Sequence, residues 1–145
     1  MLKIGGTLML CMLLMGCSGP RPSTLGLKDG RLFPCPDSPN CVSTQERSEG
    51  HRIEPLRYTG TKENARQKLL QVIGGMPRVK IVTDSGDYIH AEFASRIFRF
   101  VDDVEFVFDD AEKLIHFRSA SRLGYSDLGV NRRRMEEIRR RFEAQ

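Results

Sequence analysis

Tyr88-Ile89-His90-Ala91-Glu92-Phe93-Ala94 is the stretch whose reading decides the fold. Apolar and polar side chains alternate strictly, which is the period of a half-buried β-strand and not of a helix. Ile89, Ala91 and Phe93 share one face, and Tyr88, His90 and Glu92 share the other. Asp84-Ser85-Gly86-Asp87 precedes the stretch as a turn, so Arg78 to Thr83 reads as its hairpin partner. On the other side, Ile97 to Phe108 reads as a long extended segment, broken or bulged around Asp102-Asp103, and Leu114 to Ala120 reads as a last strand. Val104, Phe106, Phe108, Ile115 and Phe117 match the apolar face; Glu105, His116 and Arg118 match the polar one.

Two helical patterns flank these strands. Thr61 is a good N-cap and Glu63 suits the first turn. Ala65, Leu69, Val72 and Ile73 recur at helical spacing until Gly74-Gly75. A closing helix from about Leu128 to Glu143 offers Leu128, Met135, Ile138 and Phe142 as its buried stripe, with the polar Asn131 on the same side. Arg52 to Tyr58 is a short candidate strand that Pro55 confines to an edge. The order predicts an α+β domain, an antiparallel meandering β-sheet with two helices packed on one face.

The chain begins as a bacterial lipoprotein does. Lys3 gives a positive start, Leu8 to Leu14 an apolar run, and Leu14-Met15-Gly16-Cys17 resembles a lipobox. The run is too short to cross about 30 Å of hydrocarbon as a helix and fits the central region of a signal peptide. The expected organisation is a signal peptide at 1–16, a lipidated (palmitate-bearing) Cys17 opening a flexible tether at 17–34, and a single α+β domain at 35–145. An ordinary cleaved secretory signal is the other reading of this segment. Ser18, not Asp, follows Cys17; in an envelope with two membranes this points to the outer membrane, facing the periplasm.

Cys35 and Cys41 remain once Cys11 and Cys17 are set aside. Export into an oxidising compartment favours a disulfide between them. The spacing is not that of a C-x-x-C redox pair, and no His or Cys cluster completes a zinc set.

Three polar constellations stand out. His90, Glu92, Glu105 and His116 on the polar sheet face have the chemistry of a metal-assisted hydrolase; cross-strand charge pairs on a wet face are the plainer reading. Arg132-Arg133-Arg134 and Arg139-Arg140-Arg141 make the last helix strongly basic, but interleaved Glu136, Glu137 and Glu143 permit pairs such as Arg132–Glu136 and Arg133–Glu137. Finally, Arg118, Arg122, Asp127, Asn131 and Arg134 gather where the last strand meets the last helix. There they form either an anion-binding opening or a structural lock in which Asp127 caps the helix and takes an arginine. No nucleophile elbow, P-loop or dinucleotide fingerprint is present.

Cys35-Pro36-Asp37-Ser38-Pro39-Asn40-Cys41-Val42-Ser43 and the segment from Arg118 to Arg134, taken together, resemble the domain of unknown function 1499 family over Cys35 to Arg140. The resemblance implies a small exported or membrane-associated domain and supplies no catalytic residue, cofactor or substrate. The expectation is therefore an envelope lipoprotein whose domain binds an envelope protein or an anionic ligand without catalysis. It expects no cofactor, no metal and no nucleic acid. A metal-assisted envelope hydrolase and a structural subunit of an envelope complex are the alternatives.

Overall fold

A computed structural model describes residues 18–145. The segment expected to be a signal peptide, with Cys11 and Cys17, lies outside the described residues. The elements run β1 (Leu27–Lys28), β2 (Arg31–Leu32), β3 (Cys41–Ser43), β4 (Leu56–Arg57), α1 (Lys62–Gly74), β5 (Val79–Ser85), β6 (Tyr88–Ala94), β7 (Val101–Asp109), β8 (Leu114–Ser121) and α2 (Val130–Glu143). This is the α+β layout expected. β5, β6, β7 and β8 form an antiparallel meander, with β3 and β4 both paired to the free edge of β8; β1 and β2 make a separate two-stranded hairpin.

The alternation sets the register. Ile89 lies opposite Phe106 and Phe106 opposite Phe117; Ala91 lies opposite Val104. These side chains share one core cluster with Ala65, Leu69, Val72 and Ile73 of α1 and Met135, Ile138 and Phe142 of α2. Phe106 and Phe117 are completely buried, with ring centroids 6.3 Å apart. Burial of each contributes about 2–3 kcal/mol. α1 starts as the sequence indicates: Thr61 Oγ1 accepts from the Asn64 amide at 3.2 Å.

Four local expectations are corrected. β7 is regular through Asp102 and Asp103, while 95–100 is a hairpin loop and the bulge falls on β5 between Ile81 and Thr83. Adjacent aspartates fit a regular strand because they project to opposite faces, where each meets its own cation. α2 begins at Val130, and Leu128 is not on its buried stripe: it is 83% exposed, with φ of 53°. Asn131 opens the stripe instead, completely buried. The candidate strand 52–58 shrinks to Leu56–Arg57, immediately after Pro55.

The fourth correction concerns the polar sheet face, which is not wet. His90, Asp103, Glu105 and Arg118 are all buried. The stretch expected as a tether lies over this face. The Gly26 amide donates to Glu105 Oε1 at 2.7 Å, Arg21 pairs with Glu92, Leu32 is buried, and β2 packs against β7. Buried polar groups need partners, and the 21–35 stretch supplies two to this face, the Gly26 amide to Glu105 and the Arg21 side chain to Glu92.

Cys35 and Cys41 form the expected disulfide across a sequence separation of 6. Cys41 sits in β3 opposite Ala120, so the bridge ties the 35–41 loop to the edge of the main sheet. So short a loop removes little chain entropy. Replacing Cys35 and Cys41 by Ser is expected to lower unfolding free energy in denaturant titration by about 2 kcal/mol, with secondary structure retained; an unchanged midpoint would contradict this.

Candidate functional site

The five residues expected to share one opening are divided by the sheet. Along β8, Ser119 and Ser121 face the helices while Arg118 faces the opposite side, and Arg122, just past the strand end, joins Arg118 there. Asp127, Asn131 and Arg134 lie on the helix side.

The helix-side group is a closed junction. Asp127 accepts from the amides of Gly129 at 2.9 Å and Asn131 at 2.8 Å, so it caps α2 from outside the formal N-cap, Gly129, which has φ of 78°. Asn131 Nδ2 donates to Asn40 O, Ser121 Oγ and Asp127 Oδ2 at 3.1, 2.9 and 2.8 Å. Its Oδ1 accepts from Ser119 Oγ at 2.5 Å and Arg134 Nη1 at 2.9 Å. Arg134 also pairs with Asp102 at 2.5 Å and lies over the Phe93 ring, 5.0 Å from its centroid. Asn40, which belongs to the disulfide loop, further donates to Gly124 O at 2.6 Å. The two sequence stretches that carry the family resemblance thus meet at one buried amide.

The opposite face carries a network of buried ions. Arg122 forks onto Asp103, Nε to Oδ2 and Nη2 to Oδ1, both at 2.7 Å, and also reaches Glu92 at 2.5 Å. His90 Nε2 lies 2.7 Å from Asp103 Oδ1. Glu105 accepts from Gly26 N, Tyr88 OH and Arg118 Nη1. Burial pushes the carboxyl of Asp103 up, but hydrogen bonds from Arg122 and His90 outweigh it and hold the group below its ordinary 3.8. Glu92 is likewise held below 4.5 by Arg21 and Arg122 against the opposing effect of burial. Burial, reinforced by Glu105, raises the Tyr88 hydroxyl, so it remains a hydrogen-bond donor.

Of the four side chains with hydrolase chemistry, the structure brings His90 and Glu92 together, with Asp103 in place of a second histidine. One ligand atom from each of these three lies within 4.8 Å of the others. The Arg122 guanidinium, however, bonds to both carboxylates of that set. Glu105 is engaged with Arg118 and Tyr88. His116 lies elsewhere, 3.1 Å from Thr44 Oγ1, and burial lowers its pKa. A cleft of about 330 Å³ between α1 and the end of α2 is lined by Arg57, Tyr58, Asn64, Lys68 and Phe142, none of them a candidate. The arginines of α2 are largely engaged too. Arg132 donates to the carbonyls of Gly50 and Arg52, and Arg139 to those of Glu54 and Pro55. The intrahelical pairs are Arg139–Glu136, Arg140–Glu137 and Arg141–Glu137, in place of those the spacing first offered.

Asp102, Asp103, Asn40, Ser119 and Ser121 were not among the expected site residues. Strand parity is the signal for the four on β7 and β8: neighbours alternate faces, so a pair of adjacent aspartates requires one cation on each side; Asn40 lies in the disulfide loop, outside any strand.

The family model described as Protein of unknown function (DUF1499) matches residues 31–142, and the chain belongs to that family. The match begins in β2, so it includes half of the hairpin that covers the ionic face. No curated protein matches the chain.

Two expectations follow for the network. Arg122→Met leaves Asp103 and Glu92 short of their main cation and is expected to cost about 3–5 kcal/mol of stability, read by denaturant unfolding; a loss below about 1 kcal/mol, as for an exposed pair, would contradict the network. Asp103 and Glu92 have depressed folded values, so their stabilisation is complete above the ordinary 3.8 and 4.5 and is lost as pH falls through the lower folded values. Unfolding free energy should therefore fall as pH drops from these ordinary values to the lower folded ones, and the fall should be shallower in Arg122→Met. For the junction, Asn131→Ala removes a buried donor and acceptor together and is expected to lower stability by about 3 kcal/mol, also read by denaturant unfolding; a loss within 0.5 kcal/mol, roughly that of a surface change, would contradict the account.

Proposed function

We propose that this protein is an exported envelope lipoprotein, held to a membrane by acyl chains on Cys17, whose α+β domain is a non-catalytic binding module. The observation that carries this reading is the Cys35–Cys41 disulfide, closed in the loop that follows the lipobox and tether sequence. Such a bridge persists in an oxidising compartment outside the cytoplasm. Ser18 after Cys17 supports outer-membrane sorting, facing the periplasm, where the envelope has two membranes.

The non-catalytic reading is supported by where the ionisable groups go. Arg118, Arg122, Asp127, Asn131 and Arg134 bond to one another or to Asp102, Asp103 and Glu105. These bonds favour the lock over the anion-binding opening. The basic side chains of α2 lie among backbone carbonyls and glutamates, which argues against nucleic acid as a partner. A second reading, metal-assisted hydrolysis, draws on the His90, Glu92 and Asp103 group and requires Arg122 to leave its carboxylates.

Mass spectrometry of the mature N-terminus, with palmitate labelling in cells, tests the first reading. It predicts a diacylglyceryl group on Cys17, the preceding residues removed, and loss of label in Cys17→Ala. An unacylated chain still beginning at Met1 in the soluble cell interior would contradict it. Stoichiometric zinc in natively prepared protein, lost in His90→Ala, would favour the second reading.

A further inference from the structure

Among the described residues, one end of the sheet carries most of the large apolar side chains left in solvent. The β6–β7 loop exposes Ile97 (78%) and Phe98 (65%), and the loop from β8 to α2 exposes Tyr125 (74%) and Leu128 (83%). The register puts both loops at the same end. Ala94 pairs with Val101 to close the hairpin, Asp102 pairs with Ser121, and the Arg122 amide donates to Val101 O at 3.1 Å. The 95–100 loop is closed by two hydrogen bonds, Ser95 N to Phe100 O at 2.8 Å and the Phe100 amide to Ser95 Oγ at 2.9 Å, and the Phe98 and Phe100 rings lie 5.6 Å apart. Phe98 is therefore held outward on a closed hairpin, where exposed aromatic surface calls for a partner.

The start of the described chain comes to the same end. A Cβ placed on Gly19 would lie 3.1 Å from Leu123 Cγ, so the backbone at Gly19 runs against the β8–α2 loop. Arg21, two residues on, is fixed to Glu92. In the sequence, Gly19 is the second residue after Cys17.

Charge points the same way. Arg96 and Arg99 flank Ile97-Phe98, are exposed, and make no ion pair among the described residues. Of the nearby acids, Asp102 meets Arg134 and Asp103 meets Arg122, while Asp127 is taken up by the Gly129 and Asn131 amides at the start of α2. Apolar and aromatic side chains bordered by free arginines suit the boundary between acyl chains and anionic headgroups.

We propose that this end of the domain docks on the lipid bilayer, with Phe98 and its neighbours entering the interface and Arg96 and Arg99 meeting lipid phosphates. The proposal rests on the anchored reading of Cys17 and adds an orientation to it: the domain lies down on the membrane beside its own anchor.

The chain contains no Trp, so Phe98→Trp and Glu112→Trp each install a single fluorescent reporter, at the docking end and at the opposite, β7–β8 end respectively. Full-length protein purified in its processed form is reconstituted into phosphatidylethanolamine–phosphatidylglycerol vesicles with and without brominated acyl chains. Expected is quenching at least about twofold stronger for Phe98→Trp than for Glu112→Trp, since interfacial side chains reach the acyl boundary, and its weakening when Arg96 and Arg99 are both replaced by Glu. Equal quenching of the two reporters on acylated protein overturns the docking and leaves the anchor intact. A blue shift of the Phe98→Trp emission without bromolipid quenching places the loop against protein, either a partner or a second copy, and also overturns it. Should mass spectrometry find Cys17 unmodified, the anchor reading fails separately. Quenching of Phe98→Trp by the same vesicles added to unanchored protein then upholds the docking, and no quenching refutes it.

Discussion

Two adjacent carboxylates near one end of the sheet's central strand constrain much of this molecule. Asp102 and Asp103 follow one another in β7, project to opposite faces, and are both nearly inaccessible to water. A buried carboxylate without a cation is strongly destabilising, so each face must deliver one. Arg134, from α2, serves the helix side; Arg122, from the loop before α2, serves the other with His90 beside it. The segment from β8 into α2 is thereby pinned on both sides of the same strand. The direction in which α2 leaves the sheet follows from that pinning and from the cap that Asp127 supplies.

From these clamps the polar interior extends outward. On the helix side it passes through Asn131 and the hydroxyls of Ser119 and Ser121 to Asn40 and the disulfide loop. On the other side it passes through Glu92 and Glu105 to Arg21 and the Gly26 amide. The apolar core between sheet and helices supplies most of the stabilising burial. The ionic layer adds geometric definition, because forked guanidinium–carboxylate contacts tolerate little displacement. The two stretches that carry the family resemblance are fastened to each other at this junction, through Asn40 with Asn131 and Gly124.

How much of this was legible from the residues depends on whether a feature is local. Helix α1, with Thr61 at one end and Gly74-Gly75 at the other, and the strand Tyr88 to Ala94 are written in local spacing, and both appear where expected. The sorting of Tyr88, His90, Glu92, Glu105 and Arg118 onto one face followed from parity alone. The burial of that face did not, because the cover comes from 21–35, a Gly- and Pro-rich stretch without periodicity whose placement depends on contacts such as Gly26 with Glu105, 79 residues apart. Leu128 misled for a different reason. Its hydrophobicity fits the helical stripe, but a positive φ at Leu128 and at Gly129 turns the chain before α2 begins. Of the five polar residues near that junction, parity along β8 places Arg118 on the face opposite Ser119 and Ser121, but Asp127, Asn131 and Arg134 lie beyond the strand, where the two-residue period no longer assigns a face.

The central claim is that the ionic face is a closed, charge-paired layer. The most direct measurement is a carbon-13 NMR titration of the Asp103 side-chain carboxyl in the folded protein. The account predicts that Asp103 remains ionised below its ordinary 3.8, because Arg122 and His90 outweigh the effect of burial. A midpoint at or above 3.8 would mean that burial prevails and that the pairing with Arg122 does not hold in solution.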